Sequence, residues 1–273
     1  ELGIRIFDRS KKPVIPTEEG KALIAQARRV VGEARRLKDL SAELKGELKG
    51  SLQLGIIPTV APYLLPVFLP RSMDRYPGLH LHVTELTTDE IVQRLKNHQL
   101  DAAILATPLH DAALDEHPLY YEEFVVYAAP HQSVLEKRFV LPEDIRPDEL
   151  WLLEEGHCLR MQVINLCELQ RSDAQKARLA YNAGSIETLK KIVDMGHGLT
   201  ILPELAIADL NEEEQQRLRF FKPPAPVREI SLVTWRYYAR ERLLEAVADT
   251  VKGCVPPGLL RKPNARRVPV AQE

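Results

Sequence analysis

The sequence lacks several features that mark whole classes of protein. Its 273 residues include only three cysteines, which excludes the disulfide framework of small secreted domains. No apolar run reaches the 18 or more residues of a membrane-spanning helix, and no basic-then-apolar signal peptide opens the chain. Internal repeats and low-complexity segments are absent as well. These absences predict a cytoplasmic protein without membrane contact.

What is present is the composition of a folded globular protein. Apolar residues make up 45% and charged residues 28% of the chain, and the length suits one or two domains. The net charge of −2 is spread unevenly. Residues 1–50 carry 12 Lys and Arg against 8 Asp and Glu, residues 51–251 carry 20 against 30, and residues 252–273 carry 5 against 1. The two ends of the chain are basic and its middle is acidic, which suits a protein that binds a polyanion through one end. An ordinary solvated basic surface would give the same charge pattern.

A long helix is predicted from about Thr17, as its N-cap, to about Leu48. Its apolar positions repeat in alternating steps of four and three residues, as the a and d positions of a coiled coil do. This seam consists of Leu23, Ala27, Val30, Ala34, Leu37, Ser41, Leu44 and Leu48, with Ser41 its polar interruption. We therefore expect a dimerisation helix; a surface helix packed on its own domain is the alternative.

Beyond Gly50 the pattern alternates between strands and helices. Strands separated by helical stretches of about 10–15 residues predict parallel sheets with right-handed crossovers. Two α/β units of about a hundred residues each are expected, with the chain crossing between them twice. The predicted strands are 52–57, 79–86, 102–106, 124–129, 150–153, 178–181, 199–202 and 230–235, and the predicted helices are 62–76, 89–98, 159–170, 185–195 and 238–252.

Two cysteines, Cys158 and Cys167, draw attention to one short segment. Their spacing does not suit zinc, which needs more ligands at shorter separations. Cys158 is expected at a helix start, where free N–H groups favour a thiolate, and His157 and Arg160 flank it with possible positive charge. An activated thiol with a second thiol nearby is typical of a redox sensor; two buried structural cysteines are the alternative.

The predicted helix limits what these two thiols can do. Nine helical steps would place the Cα atoms of Cys158 and Cys167 about 13.5 Å apart along the axis. A disulfide needs Cα atoms about 4.4–6.8 Å apart. If the segment is helical when reduced, a bond between them requires the helix to unwind, and such a bond would act as a conformational switch. Cys254, near the chain end, is read as a bystander.

At these residues the sequence resembles the peroxide-sensing LysR-type transcriptional regulators, the OxyR family. The segment Leu-Glu-Glu-Gly-His-Cys-Leu-Arg at 153–160, with Cys167 following, is similar to the redox segment of that family. The resemblance covers nearly the whole chain. Its other parts are 1–20, similar to the end of a winged helix-turn-helix; 55–66, similar to the start of the regulatory domain; and 184–189 with 196–203, which mark the LysR superfamily only.

The resemblance implies an α/β fold with a periplasmic-binding-protein-like regulatory domain of two α/β subdomains. A long linker helix and the remnant of a winged helix-turn-helix would precede this domain, without a recognition helix. The implied parts are the remnant 1–16, the linker and dimerisation helix 17–49, subdomain I at 50–121 with 227–260, subdomain II at 122–226, and a basic tail at 261–273.

The resemblance also implies a function and a site. Hydrogen peroxide would oxidise Cys158, the peroxidatic cysteine, and Cys167 would resolve it as a reversible disulfide that rearranges a tetramer on DNA. The implied partners are double-stranded DNA through the missing N-terminal part, RNA polymerase, further copies of the chain, and a reductant such as glutaredoxin or thioredoxin; no cofactor and no metal are implied. The implied peroxide pocket consists of Thr59, Thr88, His157, Arg160 and Arg236.

Alternatives remain open at this point. Thr59 and Thr88 follow predicted strands at the edge where α/β ligand sites form, but each could equally cap a helix. Met161 stands where the family usually has aspartate, which puts thiol pKa and sensitivity in question. A LysR-type sensor of a small metabolite and a thiol peroxidase are the competing functions, although a long coiled-coil helix suits regulation better than enzyme turnover.

Overall fold

The computed structural model of the protein describes residues 2–45, 48–169, 183–261, 264–265 and 267–270. The chain begins with a short antiparallel pair, β1 (Phe7–Asp8) and β2 (Ile15–Pro16), and continues into the long helix α1 (Glu18–Leu44). The Thr17 hydroxyl accepts a hydrogen bond from the Gly20 amide at 2.9 Å, which confirms the predicted N-cap. The helix ends at Leu44, earlier than predicted.

The regulatory part that follows has the predicted alternation of strands and helices. Most of its helices bury an apolar stripe, and the strands at 102–107, 199–203 and 227–235 are almost continuously buried, so these elements are placed by packing within one core. The elements are β3 (Gly50–Ile56), α2 (Ala61–Arg75), β4 (Leu79–Glu85), α3 (Thr88–Lys96), β5 (Ala102–Thr107), β6 (Leu114–Ala128), α4 (Cys158–Leu166), α5 (Ile186–Asp194), β7 (Leu199–Pro203), α6 (Glu212–Gln215), β8 (Leu218–Phe220), β9 (Val227–Trp235) and α7 (Glu241–Lys252).

The sheet is mixed, so the prediction of parallel sheets is only partly right. Strand β3 pairs in parallel with β4 and β5, whereas β9 pairs antiparallel with β5 and β6, and β6 pairs antiparallel with β7 and β8. The strand order is β4-β3-β5-β9-β6-β7 with β8 beside β6. The sequence pattern located only the last third of β6, because the earlier part contains the polar run Asp-Glu-His-Pro at 115–118, and the register shifts after Pro118.

Two hydrophobic clusters divide the regulatory part. The first surrounds β3, β5, α2, α3 and α7, and the second surrounds the end of β6 with α4, α5 and β7. The chain passes from the first to the second along β6 and returns along β9, so it crosses twice. This architecture of two α/β units behind a long helix confirms the predicted fold class. The exact subdomain limits given above stay predictions.

Two predicted elements differ or lie outside the description. Residues 150–153 form no strand; Leu150 and Leu153 make single bridges to Leu199 and Ala183. The strand predicted at 178–181 lies outside the described residues. Within the described part of the chain, no helix is long and apolar enough to cross a membrane.

Candidate functional site

Cys158 is the first residue of α4, as predicted, and its side chain is buried. Burial raises the pKa of the Cys158 thiol. The positive charge of Arg228, the Thr88 hydroxyl and the backbone amides of 158 and 159 all act to lower it. The helix start therefore favours the thiolate in the predicted direction, but loss of solvation outweighs it. The expected low-pKa thiol is wrong for this structure.

The guanidinium that acts on Cys158 belongs to Arg228, on β9. Its Nε donates to Glu122 Oε2 at 2.6 Å, and its Nη1 and Nη2 donate to Thr59 Oγ1 at 3.0 Å and Thr59 O at 3.2 Å. The register of β6 and β9 sets Glu122 directly opposite Arg228, so the two side chains share one face of the sheet. Arg228 and Glu122 are both fully buried, which makes this a desolvated ion pair beside a thiol.

Sequence reasoning missed Arg228 and named two other arginines. Arg236 is exposed at the end of β9 and donates to the carbonyl of Ala112, so it is not the guanidinium of this site. Arg160 lies on α4 but donates to the carbonyl of Leu153 at 2.8 Å. The signal that could have found Arg228 is the charged pair Arg228-Glu229 directly before the predicted strand 230–235, because charged residues in a buried strand need a partner.

Thr59 and Thr88 both belong to the site, and neither caps a helix. The hydroxyl of Thr59 accepts from Arg228, while the N-cap residue of α2 is Val60, which provides no side-chain cap. Helix α3 is capped by Thr87, whose hydroxyl accepts from the Glu90 amide. The buried Thr88 hydroxyl acts to lower the pKa of the Cys158 thiol, lines the same cavity, and makes no hydrogen bond among the described residues. The capping alternative is therefore excluded for both threonines.

His157 immediately precedes Cys158 and is buried as well. Its Nε2 lies 3.8 Å from Glu154 Oε1, which favours the charged imidazolium. Burial nevertheless lowers the pKa of His157 below its ordinary value. At neutral pH the ring is mostly neutral, so the positive charge at the thiol comes from Arg228 rather than from His157.

Cys167 lies at the other end of α4, directly after Leu166. Its amide donates to the carbonyl of Val163, so it caps the helix that Cys158 begins. All three cysteines are free thiols. With the helix intact, the two Cα atoms are about 13.5 Å apart along its axis, which confirms the premise that a disulfide needs the helix to unwind. Burial raises the pKa of Cys167 to about 12.

A cavity of about 470 Å³ opens beside Cys158 between the two hydrophobic clusters. It offers a route by which a small polar molecule reaches the thiol. Met161 is part of its wall, in the place where the family usually has aspartate. The lining residues are Thr88, Asp89, Val92, Gln93, Pro108, Leu109, Asp111, Gly156, His157, Cys158, Met161 and Val270.

The third cysteine lies apart from this site. Cys254 is half-buried after α7, with its sulfur 3.9 Å from Arg71 Nη1. The described ranges contain no group of three or more His, Cys, Asp and Glu residues arranged to hold a metal ion. The candidate site therefore consists of Cys158, Arg228, Glu122, Thr59 and Thr88, with Cys167 one helix away.

Comparison with known proteins identifies the family. Residues 45–254 match the LysR substrate binding domain. The hydrogen peroxide-inducible genes activator of Haemophilus influenzae is 33% identical over 92% of this chain and 84% of its own length. The crystal structure of OxyR from Porphyromonas gingivalis superimposes with a TM-score of 0.74 at 31% identity, covering 81% of this chain and 100% of that one.

A further solved structure bears on the site. It is a cysteine-to-serine mutant of Corynebacterium glutamicum OxyR described as H2O2-bound, with a TM-score of 0.71, 29% identity, and coverage of 93% of this chain and 79% of that one. The curated relatives are transcription regulators rather than enzymes, which argues against the peroxidase alternative. From its domain match and these relatives, the chain belongs to the OxyR family of LysR-type transcriptional regulators.

Proposed function

We propose that this protein activates transcription in response to hydrogen peroxide, with Cys158 as the sensing thiol and Cys167 as its resolving partner. The observation that carries the proposal is the surrounding of Cys158: a buried thiol at a helix start lines an open cavity, and the Arg228 charge and the Thr88 hydroxyl both favour its thiolate. Relatives named hydrogen peroxide-inducible genes activators and a homologous structure with H2O2 bound support the same chemistry.

The first step converts the thiol to a sulfenic acid. The Cys158 thiolate attacks one peroxide oxygen, the O–O bond breaks, and the departing hydroxide takes up the proton that the thiol released, leaving as water. Sulfur is oxidised and peroxide is reduced. Arg228 favours the thiolate, and Thr59 with Glu122 holds Arg228 in place.

The second step joins the two cysteines. The Cys167 thiolate attacks the Cys158 sulfur, the S–S bond forms, the S–O bond breaks, and hydroxide leaves as water with the proton from Cys167. Overall, two thiols and one H2O2 become one disulfide and two waters. Because the cysteines occupy opposite ends of α4, this step requires α4 to unwind, and the unwound segment carries the signal.

We further propose that the signal changes an oligomer on double-stranded DNA and so promotes transcription by RNA polymerase, with a reductant such as glutaredoxin or thioredoxin restoring the thiols. Helix α1 supports self-association. Its seam residues Val30, Leu37 and Leu44 are 61%, 70% and 80% exposed. Its Glu43 is buried against Arg240 at 3.3 Å, so the end of α1 packs on the chain's own domain. Val30 and Leu37 line an open groove between α1 and that domain, and a second copy would cover their exposed apolar surface.

The deciding experiment maps thiols by mass spectrometry after seconds of exposure to micromolar peroxide, with and without dithiothreitol. A reversible bond between Cys158 and Cys167 is expected, and Cys254→Ser protein, the matched control, should form it equally well. Cys158→Ser protein should lose peroxide-dependent transcription from its target promoters. An unreactive Cys158, or retained induction without it, would defeat the proposal.

One observation favours a second candidate function, the sensing of a small metabolite. A cavity of about 470 Å³ is far larger than one peroxide molecule, so it also suits a small metabolite. In that case the cysteines would be incidental to a LysR-type metabolite sensor. Tight binding of an organic ligand to the reduced protein in calorimetry, together with peroxide-insensitive transcription, would favour this candidate.

A further inference from the structure

The end of the described chain returns to the redox helix. Residues 267–270, here called the strap, start at the beginning of β9. Arg267 forms a bridge with Val227, the Val268 amide donates to the Val227 carbonyl at 2.9 Å, and Arg267 Nη1 lies 2.8 Å from Glu229 Oε2. This end of the strap is thus anchored on the strand that carries Arg228.

The other contacts of the strap are made by α4 itself. Gln162 Nε2 donates to the Val268 carbonyl at 3.1 Å, and Asn165 Nδ2 donates to the Pro269 carbonyl at 3.3 Å. Gln162 is fully buried, and its Oε1 has no partner within the described ranges. Burial of a glutamine side chain costs free energy unless its amide group is hydrogen-bonded. For Gln162 Nε2 the strap provides the hydrogen-bond acceptor. Val268 packs into the second hydrophobic cluster.

We infer that Gln162 and Asn165 are positioning residues for the redox step, and that the strap, which they hold, fastens α4 in its reduced helical form. The inference rests on the proposed function, in which α4 unwinds to join Cys158 with Cys167. Both positioning residues lie between the two cysteines, on the segment that must unwind.

The contacts predict which step the strap controls. The helix keeps its form while peroxide oxidises Cys158, so the amide bonds to the strap persist through that step. Before the Cys167 sulfur reaches Cys158, the segment that carries Gln162 and Asn165 must leave the strap and both bonds break. The strap therefore slows disulfide formation and favours the reduced state, with little effect on the first oxidation.

Asn165→Ala and Arg267→Ala release the strap from its two ends. Alanine is a better helix former than asparagine, so Asn165→Ala strengthens α4 itself. Faster condensation in this variant therefore cannot come from a weaker helix. Arg267→Ala breaks the ion pair with Glu229 without touching α4. Arg261→Ala is the matched control, because it removes an exposed arginine ahead of the strap in the same basic tail.

Two quantities are measured on each full-length variant that retains the wild-type circular dichroism. They are the rate at which the sulfenic acid of Cys158 decays to the disulfide, and the disulfide fraction in glutathione buffers of set ratio. Loss of one hydrogen bond should raise the condensation rate and the disulfide equilibrium constant roughly two- to tenfold. The rate of peroxide consumption in the first step should change by a smaller factor than the condensation rate, even though Val270 of the strap lines the cavity beside Cys158. The double variant should gain less than the product of the single effects, because both act through one strap.

The outcomes separate this inference from the proposed function. If the wild type itself forms no Cys158–Cys167 disulfide, the proposed function fails. If the wild type forms the disulfide but Asn165→Ala and Arg267→Ala behave like Arg261→Ala, the strap has no such role and the inference is overturned. Multiplicative effects of the two substitutions would also overturn it.

Discussion

Arg228 and Glu122 face each other across β9 and β6, with Nε and Oε2 2.6 Å apart and both side chains fully buried. Burial raises the pKa of the Glu122 carboxyl, and the Arg228 charge opposes that rise. The same guanidinium opposes the rise that burial causes in the pKa of Cys158. One buried arginine thus interacts with a structural carboxylate and with the Cys158 thiol, and the sheet register sets it opposite the carboxylate.

Arg228→Lys should slow peroxide oxidation of Cys158. Lysine keeps the charge but cannot donate from several nitrogens to Glu122 and Thr59 at once, so the charge is no longer held at the thiol. A rise of one unit in the thiol pKa lowers the thiolate fraction tenfold, so we expect a roughly tenfold slower reaction at neutral pH. Stopped-flow measurement of peroxide consumption provides the check. Arg236→Lys is the control and should react like the wild type; equal slowing of both variants would refute the assignment of Arg228.

Glu122→Ala should strongly destabilise the protein. Removal of one partner from a buried ion pair leaves an uncompensated charge and costs about 3–5 kcal/mol. Urea denaturation at pH 7 measures the free energy of unfolding. Glu123→Ala, one residue along β6 and only half-buried, should cost much less. Equal losses of unfolding free energy in the two variants would contradict the stabilising role of the Glu122–Arg228 ion pair.

The reactivity of Cys158 should rise with pH without levelling off near neutrality. Its thiol pKa is raised above the ordinary value of 9.0, so the protonated form dominates at pH 7, and the thiolate fraction grows about tenfold per pH unit up to that value. Trapping of the sulfenic acid in Cys167→Ser/Cys254→Ser protein between pH 6 and 9 measures this rise. A plateau below pH 8 would show a lowered thiol pKa instead.

Gly198→Ala should be far more damaging than Gly196→Ala. Both glycines have positive φ, +64° and +91°, so alanine costs about 1–2 kcal/mol at either position. At Gly198 an added Cβ would also come within 2.3 Å of the Glu149 carbonyl oxygen, whereas at Gly196 it meets open space. We expect an extra loss of at least about 2 kcal/mol at Gly198, measured by thermal or urea unfolding. Equal losses would show that the backbone around Glu149 moves aside.

Much of the fold was predictable because local patterns specify it. The heptad stripe from Leu23 onward indicated the long helix, and Thr17 marked its start. The helix start at Cys158 also followed from short-range sequence, so the need to unwind α4 could be stated from the sequence alone. The helix was predicted to run to about residue 170, whereas α4 ends at Leu166 and Cys167 caps it. The direction of strand pairing could not be predicted, because the pairing partners of β9 lie far away in the chain.

The sequence by itself determined the cysteine pair, the helix between them and the family to which the segment is similar, because each of these depends on residues close together in the chain. Only the tertiary structure decided that the charge of Arg228, and not that of Arg236 or Arg160, acts on the thiol, and that burial raises the pKa of Cys158. Strand register selects which distant side chains become neighbours, and solvation depends on everything packed around a group. Neither property is encoded in a short stretch of sequence.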